Sequence, residues 1–133
     1  MKILAIEGIG PVNAGKLREQ GITTTEALLS KGGTAAGRRQ LAEATGISEA
    51  SILKWVNRAD LMRVRGIGEE YSDLLEAAGV DTVKELRRRK AENLHQTMLA
   101  VNEEKRLVRR PPSLPEVRGW IEYANTLEPA VSH

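Results

Sequence analysis

The chain has 133 residues, 41% of them hydrophobic, a formal charge of +2, no cysteine, no Phe, and only two Trp and two Tyr. A core must therefore come from Leu, Ile, Val and Ala, which is a helical composition, and 133 residues suit one domain or two small repeats. The lack of cysteine excludes a disulfide framework, a thiolate metal ligand and a cysteine nucleophile, and it fits a reducing compartment, so a cytoplasmic location is expected. No apolar run approaches the ~18 residues of a membrane span. The opening Met1 to Ile6 is too short for a signal sequence before Glu7, Gly8 and Pro11 interrupt it.

In chain order, Ile3, Leu4 and Ile6 open a short apolar element that Gly8-Ile9-Gly10 ends. Pro11 suits a first helical position, because it needs no intrahelical donor there. A helix is predicted over 12–20 with Val12, Ala14 and Leu17 inward, and Gly21 is its stop. Thr23 or Thr24 caps a short helix through Leu29. Residues 30–33 read as a flexible joint. Thr34 caps a helix over 35–45 that Gly46 stops, although Gly37 inside it costs about 1 kcal/mol in propensity. Ser48 opens the next helix, with Ile52, Leu53, Trp55, Val56 and Ala59 inward.

From Leu61 the pattern restarts. Helices are predicted over 69–78, over 82–88, and around Leu94, Met98 and Val101 as far as Leu107 and Val108. Pro111-Pro112 break that helix, and Ser113 caps a last one lined by Val117, Trp120, Ile121 and Ala124. Residues 128–133 read as a loosely held tail.

The restart is a repeat. Gly8-Ile9-Gly10, Leu17, Gly21, Thr24 and Leu28 recur as Gly66-Ile67-Gly68, Leu75, Gly79, Thr82 and Leu86, all 58 residues later. Ser48, Ile52, Trp55, Val56 and Ala59 recur as Ser113, Val117, Trp120, Ile121 and Ala124 at an offset of 65. The offset has grown by seven, close to two helical turns, and a longer middle helix in the second copy is the expected cause. The two tryptophans fall in register and read as core anchors.

Gly-Ile-Gly running into a helix start sets consecutive backbone N–H groups beside the positive end of a helix dipole, a place for a phosphate oxygen. Such a contact positions a backbone and reads no bases. With these residues the chain resembles the helix-hairpin-helix superfamily. It also resembles an uncharacterised bacterial family of duplicated helix-hairpin-helix proteins (a domain of unknown function), through Gly46-Ile47-Ser48, Lys54 to Leu61 and Val101 to Lys105. The resemblance implies an all-α fold of tandem, pseudo-two-fold helix-hairpin-helix repeats with additional packing helices. The expected repeats are 1–60 and 61–127, sharing one core, with 128–133 as a flexible tail. It also implies sequence-independent binding of nucleic acid, DNA more than RNA, by hairpin amides, or use of the fold as a protein-contact module.

Carried onto this chain, the phosphate-binding candidates are Gly8, Ile9, Gly10, Val12, Asn13 and Lys16, with Glu7 counting against them. A weaker second hairpin holds Arg65, Gly66, Ile67 and Gly68. There Glu69 and Glu70 satisfy the helix dipole themselves and Arg63 and Arg65 partly offset them. Arg87, Arg88, Arg89 and Lys90, with Arg109 and Arg110, form an expected basic flank. No cofactor or metal is expected, since His95 and His133 have no ligand company and Gly32-Gly33-Thr34 lacks the lysine of a phosphate loop. The hydroxyls of Ser48 and Ser113 are taken as caps, so catalysis is not expected. The expected function is non-enzymatic binding of a nucleic-acid backbone. A protein-interaction scaffold and a regulatory subunit of a DNA-processing enzyme stand as alternatives.

Overall fold

Local signals set the helix starts. The computed structural model describes residues 1–133 and contains eight α-helices: α1 (Pro11–Glu19), α2 (Thr25–Gly32), α3 (Ala35–Thr45), α4 (Glu49–Leu61), α5 (Glu69–Ala77), α6 (Val83–Arg87), α7 (Ala91–Lys105) and α8 (Leu114–Ala124). Five of them begin on a hydroxyl. Thr24, Thr34 and Thr82 accept from the amides of Ala27, Gly37 and Glu85 at 3.0, 3.0 and 3.2 Å. Ser48 accepts from Ser51 N at 3.1 Å. Ser113 accepts from Glu116 N at 3.2 Å while the Glu116 carboxylate accepts from Ser113 N at 3.1 Å, a reciprocal box. Each such cap is worth about 1 kcal/mol against alanine.

The chain divides into two compact units, residues 1–60 with 129–133, and residues 61–128. In the first unit Ile6, Leu17, Ile22, Leu28, Ile52 and Val56 are fully buried. In the second, Leu61, Leu74, Leu75, Leu86, Leu94 and Met98 are fully buried, with Val117 and Trp120 in the same cluster. There α5 packs on α7, and α8 packs on both α6 and α7.

Several backbone bonds of the first unit recur in the second. Ile6 N donates to Ile3 O and Ile9 N to Ile6 O at 3.0 and 3.2 Å, and 58 residues later Val64 N donates to Leu61 O and Ile67 N to Val64 O, both at 3.1 Å. Leu17 O accepts from Ile22 N at 3.0 Å, and Leu75 O from Val80 N at 2.9 Å. The positive φ of Gly8 (95°) and Gly21 (77°) returns at Gly66 (94°) and Gly79 (96°). These correspondences are consistent with an internal repeat in an all-α fold.

The extra seven residues come only partly from the expected source. The α7 helix has 15 residues against 11 in α3, a gain of four. A further five lie in the connection to the last helix, which is residues 106–112 in the second unit but only Gly46 and Ile47 in the first. Two fewer residues between Thr82 and α7 than between Thr24 and α3 bring the total to seven. So α7 stops at Lys105 rather than running to Val108, which is buried beyond the helix and held by Asn102.

Several other expectations are corrected. Before the first hairpin lies one 3-10 turn, Ile3–Ala5, and Leu4 faces out at 55% exposure. Val12 is 73% exposed rather than inward, because it sits on the first turn of α1, opposite Ala14 and Leu17. Residues 30–32 are helical, not a joint. A β-carbon on Gly32 would lie 2.7 Å from Val56 Cγ2, and one on Gly33 would strike the Ala130 carbonyl, so these glycines admit close packing. Gly37 has a reason as well: a β-carbon there would run into the Lys31 carbonyl.

The tail is tied down. Ser132 N donates to Gly33 O at 2.8 Å. The buried Arg38 donates through Nη1 to Gly32 O and Gly33 O, at 2.9 and 3.0 Å, and through Nη2 to Ser132 O at 2.6 Å. One guanidinium thus closes the end of α2 onto residues 129–133.

Candidate functional site

Each hairpin is built from a glycine that the backbone demands and a glycine that it does not. Gly8 and Gly66 have positive φ, and each lies over a tryptophan: a β-carbon would fall 3.3 Å from Nε1 of Trp55 and 2.9 Å from Nε1 of Trp120. The isoleucines between the glycines, Ile9 and Ile67, are buried at 4% and 2% and plug the turn into each unit's interior. Gly10 and Gly68 differ. Their φ values, −83° and −113°, are open to any residue, and a β-carbon on either would meet nothing within 4 Å.

Those two glycines are the N-caps of α1 and α5, where five other helix starts carry a capping hydroxyl. Neither start has a side-chain cap, so the first amides of α1 after Pro11, those of Val12 and Asn13, have no side-chain acceptor. The first turn of α1 contains no acid, whereas that of α5 contains Glu69 and Glu70. In the first hairpin Gly8, Gly10 and Val12 are exposed and Asn13 is half-buried. Lys16 and Arg18 are exposed on α1 and carry no ion pair. Glu7 is exposed in the same turn.

The weaker candidates lie in the second unit. Arg65 and Gly66 are exposed beside Ile67 and Gly68, and Arg63 donates to Glu128 O at 2.7 Å. Of the basic flank, Arg87 is half-buried while Arg88 and Lys90 are exposed. Arg89 is engaged, donating to Gly79 O at 3.0 Å and pairing with Glu85 at 3.3 Å. Arg110 is engaged too, its two Nη atoms bonded to the Glu116 carboxylate at 2.9 and 3.1 Å. That bond holds the Glu116 carboxyl down to about 2, with help from the Ser113 amide. Arg109 is exposed and carries no ion pair.

Two clefts accompany the hairpins. One of about 360 Å³ in the first unit is lined by Lys2, Leu4, Ala14, Arg18 and Ile22. Another of about 590 Å³ in the second unit is lined by Glu70, Glu103, Arg106 and Arg109. In the sequence Arg106 is one member of the basic run Lys105-Arg106 with Arg109-Arg110, compatible with a phosphate-rich partner but given no role of its own. It is the only non-glycine residue with positive φ (51°), at the stop of α7, where α3 stops on Gly46 (φ 76°). Such a conformation costs a residue with a side chain roughly 1–2 kcal/mol. A helix stop without Gly or Asn is the signal that would have found it.

No group of three or more His, Asp or Glu side chains could hold a metal ion, and His95 Nε2 bonds the Pro112 carbonyl at 3.0 Å. No helix is long and apolar enough to cross a membrane. A family model described as "Domain of unknown function (DUF4332)" matches residues 7–127. The chain belongs to the DUF4332 family. The match starts at Glu7 in the first hairpin and ends three residues after α8, so the DUF4332 domain takes in both hairpins and both tryptophans. No curated protein and no solved structure matches the chain.

Proposed function

We propose that this DUF4332 protein is a non-enzymatic protein of two tandem helix-hairpin-helix repeats that binds a nucleic-acid backbone, DNA in preference to RNA, without reading sequence. The single observation that carries this reading is Gly10. Neither its φ nor its surroundings require glycine, and a Ser, Thr or Asp there would cap α1 as other helices of the chain are capped. Glycine instead leaves the helix amides open and lets a phosphate approach closely, beside the unpaired Lys16. The second hairpin has the same backbone, but Glu69 and Glu70 stand in the first turn of α5, where their charge opposes a phosphate.

The test is a titration of duplex and single-stranded DNA at ~50 and ~200 mM salt with wild type and Gly10→Asp. The substitution caps α1, so stability should hold or rise by a few tenths of a kcal/mol, while affinity falls at least ~10-fold as a carboxylate takes the anion's place. A wild type that binds nothing at the lower salt refutes the reading.

A second reading, a protein-interaction module, is favoured by one feature. Leu4 is 55% exposed at the mouth of the cleft between Lys2 and Arg18, which suits an apolar side chain flanked by acids. Loss of binding to an acidic peptide in Leu4→Asp, with DNA binding absent, would identify that case.

A further inference from the structure

The second unit carries in residues 106–112 a connection that the first unit does not have, and the fold holds it at three points. Asn102 brackets Val108, donating Nδ2 to its carbonyl at 3.1 Å and accepting its amide at 2.9 Å. Tyr71 Oη donates to the Arg110 carbonyl at 2.9 Å, and His95 Nε2 meets the Pro112 carbonyl at 3.0 Å. A seven-residue loop with no helix of its own, tied by side chains from α5 and α7, is preorganised in the sense that binding sites need. At its start Arg106 takes a left-handed backbone that glycine would adopt without strain, as Gly46 does in the first unit. An unfavourable conformation kept at an exposed residue points toward a use for its side chain.

Arg106 and Arg109 both line the cleft of about 590 Å³, and neither is ion-paired. Their neighbour Arg110 is spent on the α8 cap. We infer that this loop is the anion-binding element of the second unit, with Arg106 and Arg109 taking a phosphodiester of the nucleic-acid backbone in a unit whose own hairpin helix starts on the negative charges of Glu69 and Glu70. Arginine suits this role because its planar fork bonds two phosphate oxygens at once. Glu70 and Glu103 line the same cleft. They oppose the anion, keep its affinity modest, and make Glu70 a restraint on the site.

The inference rests on the nucleic-acid reading, and one experiment separates the two. Duplex DNA is titrated across a salt series with wild type, Gly10→Asp, the double variant Arg106→Gly/Arg109→Gln, and Glu70→Gln. Arg106→Gly copies Gly46, so the double variant should keep its helical circular dichroism and melting temperature. Each phosphate no longer neutralised removes about 0.9 from the slope of log K against log salt. The double variant, which gives up one phosphodiester, should therefore bind roughly 10-fold or more weakly at ~100 mM salt, with a slope shallower by about 1. Gly10→Asp should weaken binding with a smaller change of slope, because amide contacts release few counterions. Glu70→Gln should tighten binding. If wild type binds and the double variant matches it in affinity and slope, the loop assignment fails while the hairpin reading stands. If wild type binds neither duplex nor single strand at ~50 mM salt, both fail. Binding of polyglutamate that the double variant abolishes, with DNA binding unchanged, would give the loop to an acidic protein and overturn the phosphate assignment.

Discussion

The two hairpins share a backbone and differ in everything that backbone presents. Gly8 and Gly66, Ile9 and Ile67, and the tryptophan beneath each pair are alike in φ, burial and spacing. Fifty-eight residues apart on the following helix, however, Pro11, Val12, Asn13 and Lys16 correspond to Glu69, Glu70, Tyr71 and Leu74. Leu74 is fully buried while Lys16 is exposed, and Tyr71 packs tilted at 53° against Trp120 with ring centroids 5.1 Å apart where Asn13 offers no ring. The residues held in common are those that the turn needs in order to fold, and the divergent ones lie on the helix that follows it. In the second unit Tyr71 and Leu74 pack inward, whereas in the first Val12 and Lys16 meet solvent.

Removing each tryptophan tests that contrast most strongly. Trp55→Ala and Trp120→Ala should each cost about 3–5 kcal/mol in urea unfolding, and Trp120 should cost more, by about 1 kcal/mol, for its ring contact with Tyr71. Equal losses would mean that the second hairpin gained no packing from its tyrosine. Arg38→Ala comes next at about 3 kcal/mol, because it leaves the buried Gly32 carbonyl unbonded and removes one of the donors to Gly33 O and the donor to Ser132 O. Hydrogen exchange should place that loss in the first unit, and uniform deprotection of both units would contradict the division at Asp60. Gly66→Ala should cost roughly 2 kcal/mol and Gly8→Ala slightly less. The order follows the closer approach of Trp120, 2.9 against 3.3 Å, and thermal melts of the two variants would show it.

The smallest effect is a dependence on pH. Glu116, lowered from 4.5 to about 2 in the folded chain by Arg110, contributes stability that is present above 4.5 and lost as pH falls toward 2. Its carboxylate is 34% exposed, so solvent screening keeps the contribution to about 1 kcal/mol or less. The equivalent place in the first unit holds Ser51, which does not titrate. Glu116→Gln should flatten melting temperatures between pH 2.5 and 5, and an unchanged acid slope would assign it to other carboxylates.

The helices were legible because their boundaries are written in local chemistry. Thr34, Gly46, Ser48 and Ser113 act through their own neighbours in sequence, and the repeat doubled the serine signal, Ser48 returning as Ser113. Glycine was the ambiguous letter. Gly32 and Gly33 read as a joint because a missing side chain looks the same whether it gives freedom or close contact, and only Val56 and Ala130 tell the two apart. The bonds from Tyr71 to Arg110 and from Arg38 to Ser132 span 39 and 94 residues, beyond any local pattern. For the site, the open start of α1 against the acidic start of α5 could be read directly. The engagement of Arg89 and Arg110 could not, since a charged run does not say which members are already paired.

The strap formed by residues 129–133 has a consequence for synthesis. Its partners, Gly33 and Arg38, leave the ribosome roughly ninety residues before it does. The whole of the second unit is translated in between. Domains commonly fold in order of emergence, from the N-terminus onward. Here the first unit is completed only after the second, and a ribosome stalled between residues 61 and 128 holds a first unit in which Arg38 Nη2 and the Gly33 carbonyl still lack their bonds to Ser132.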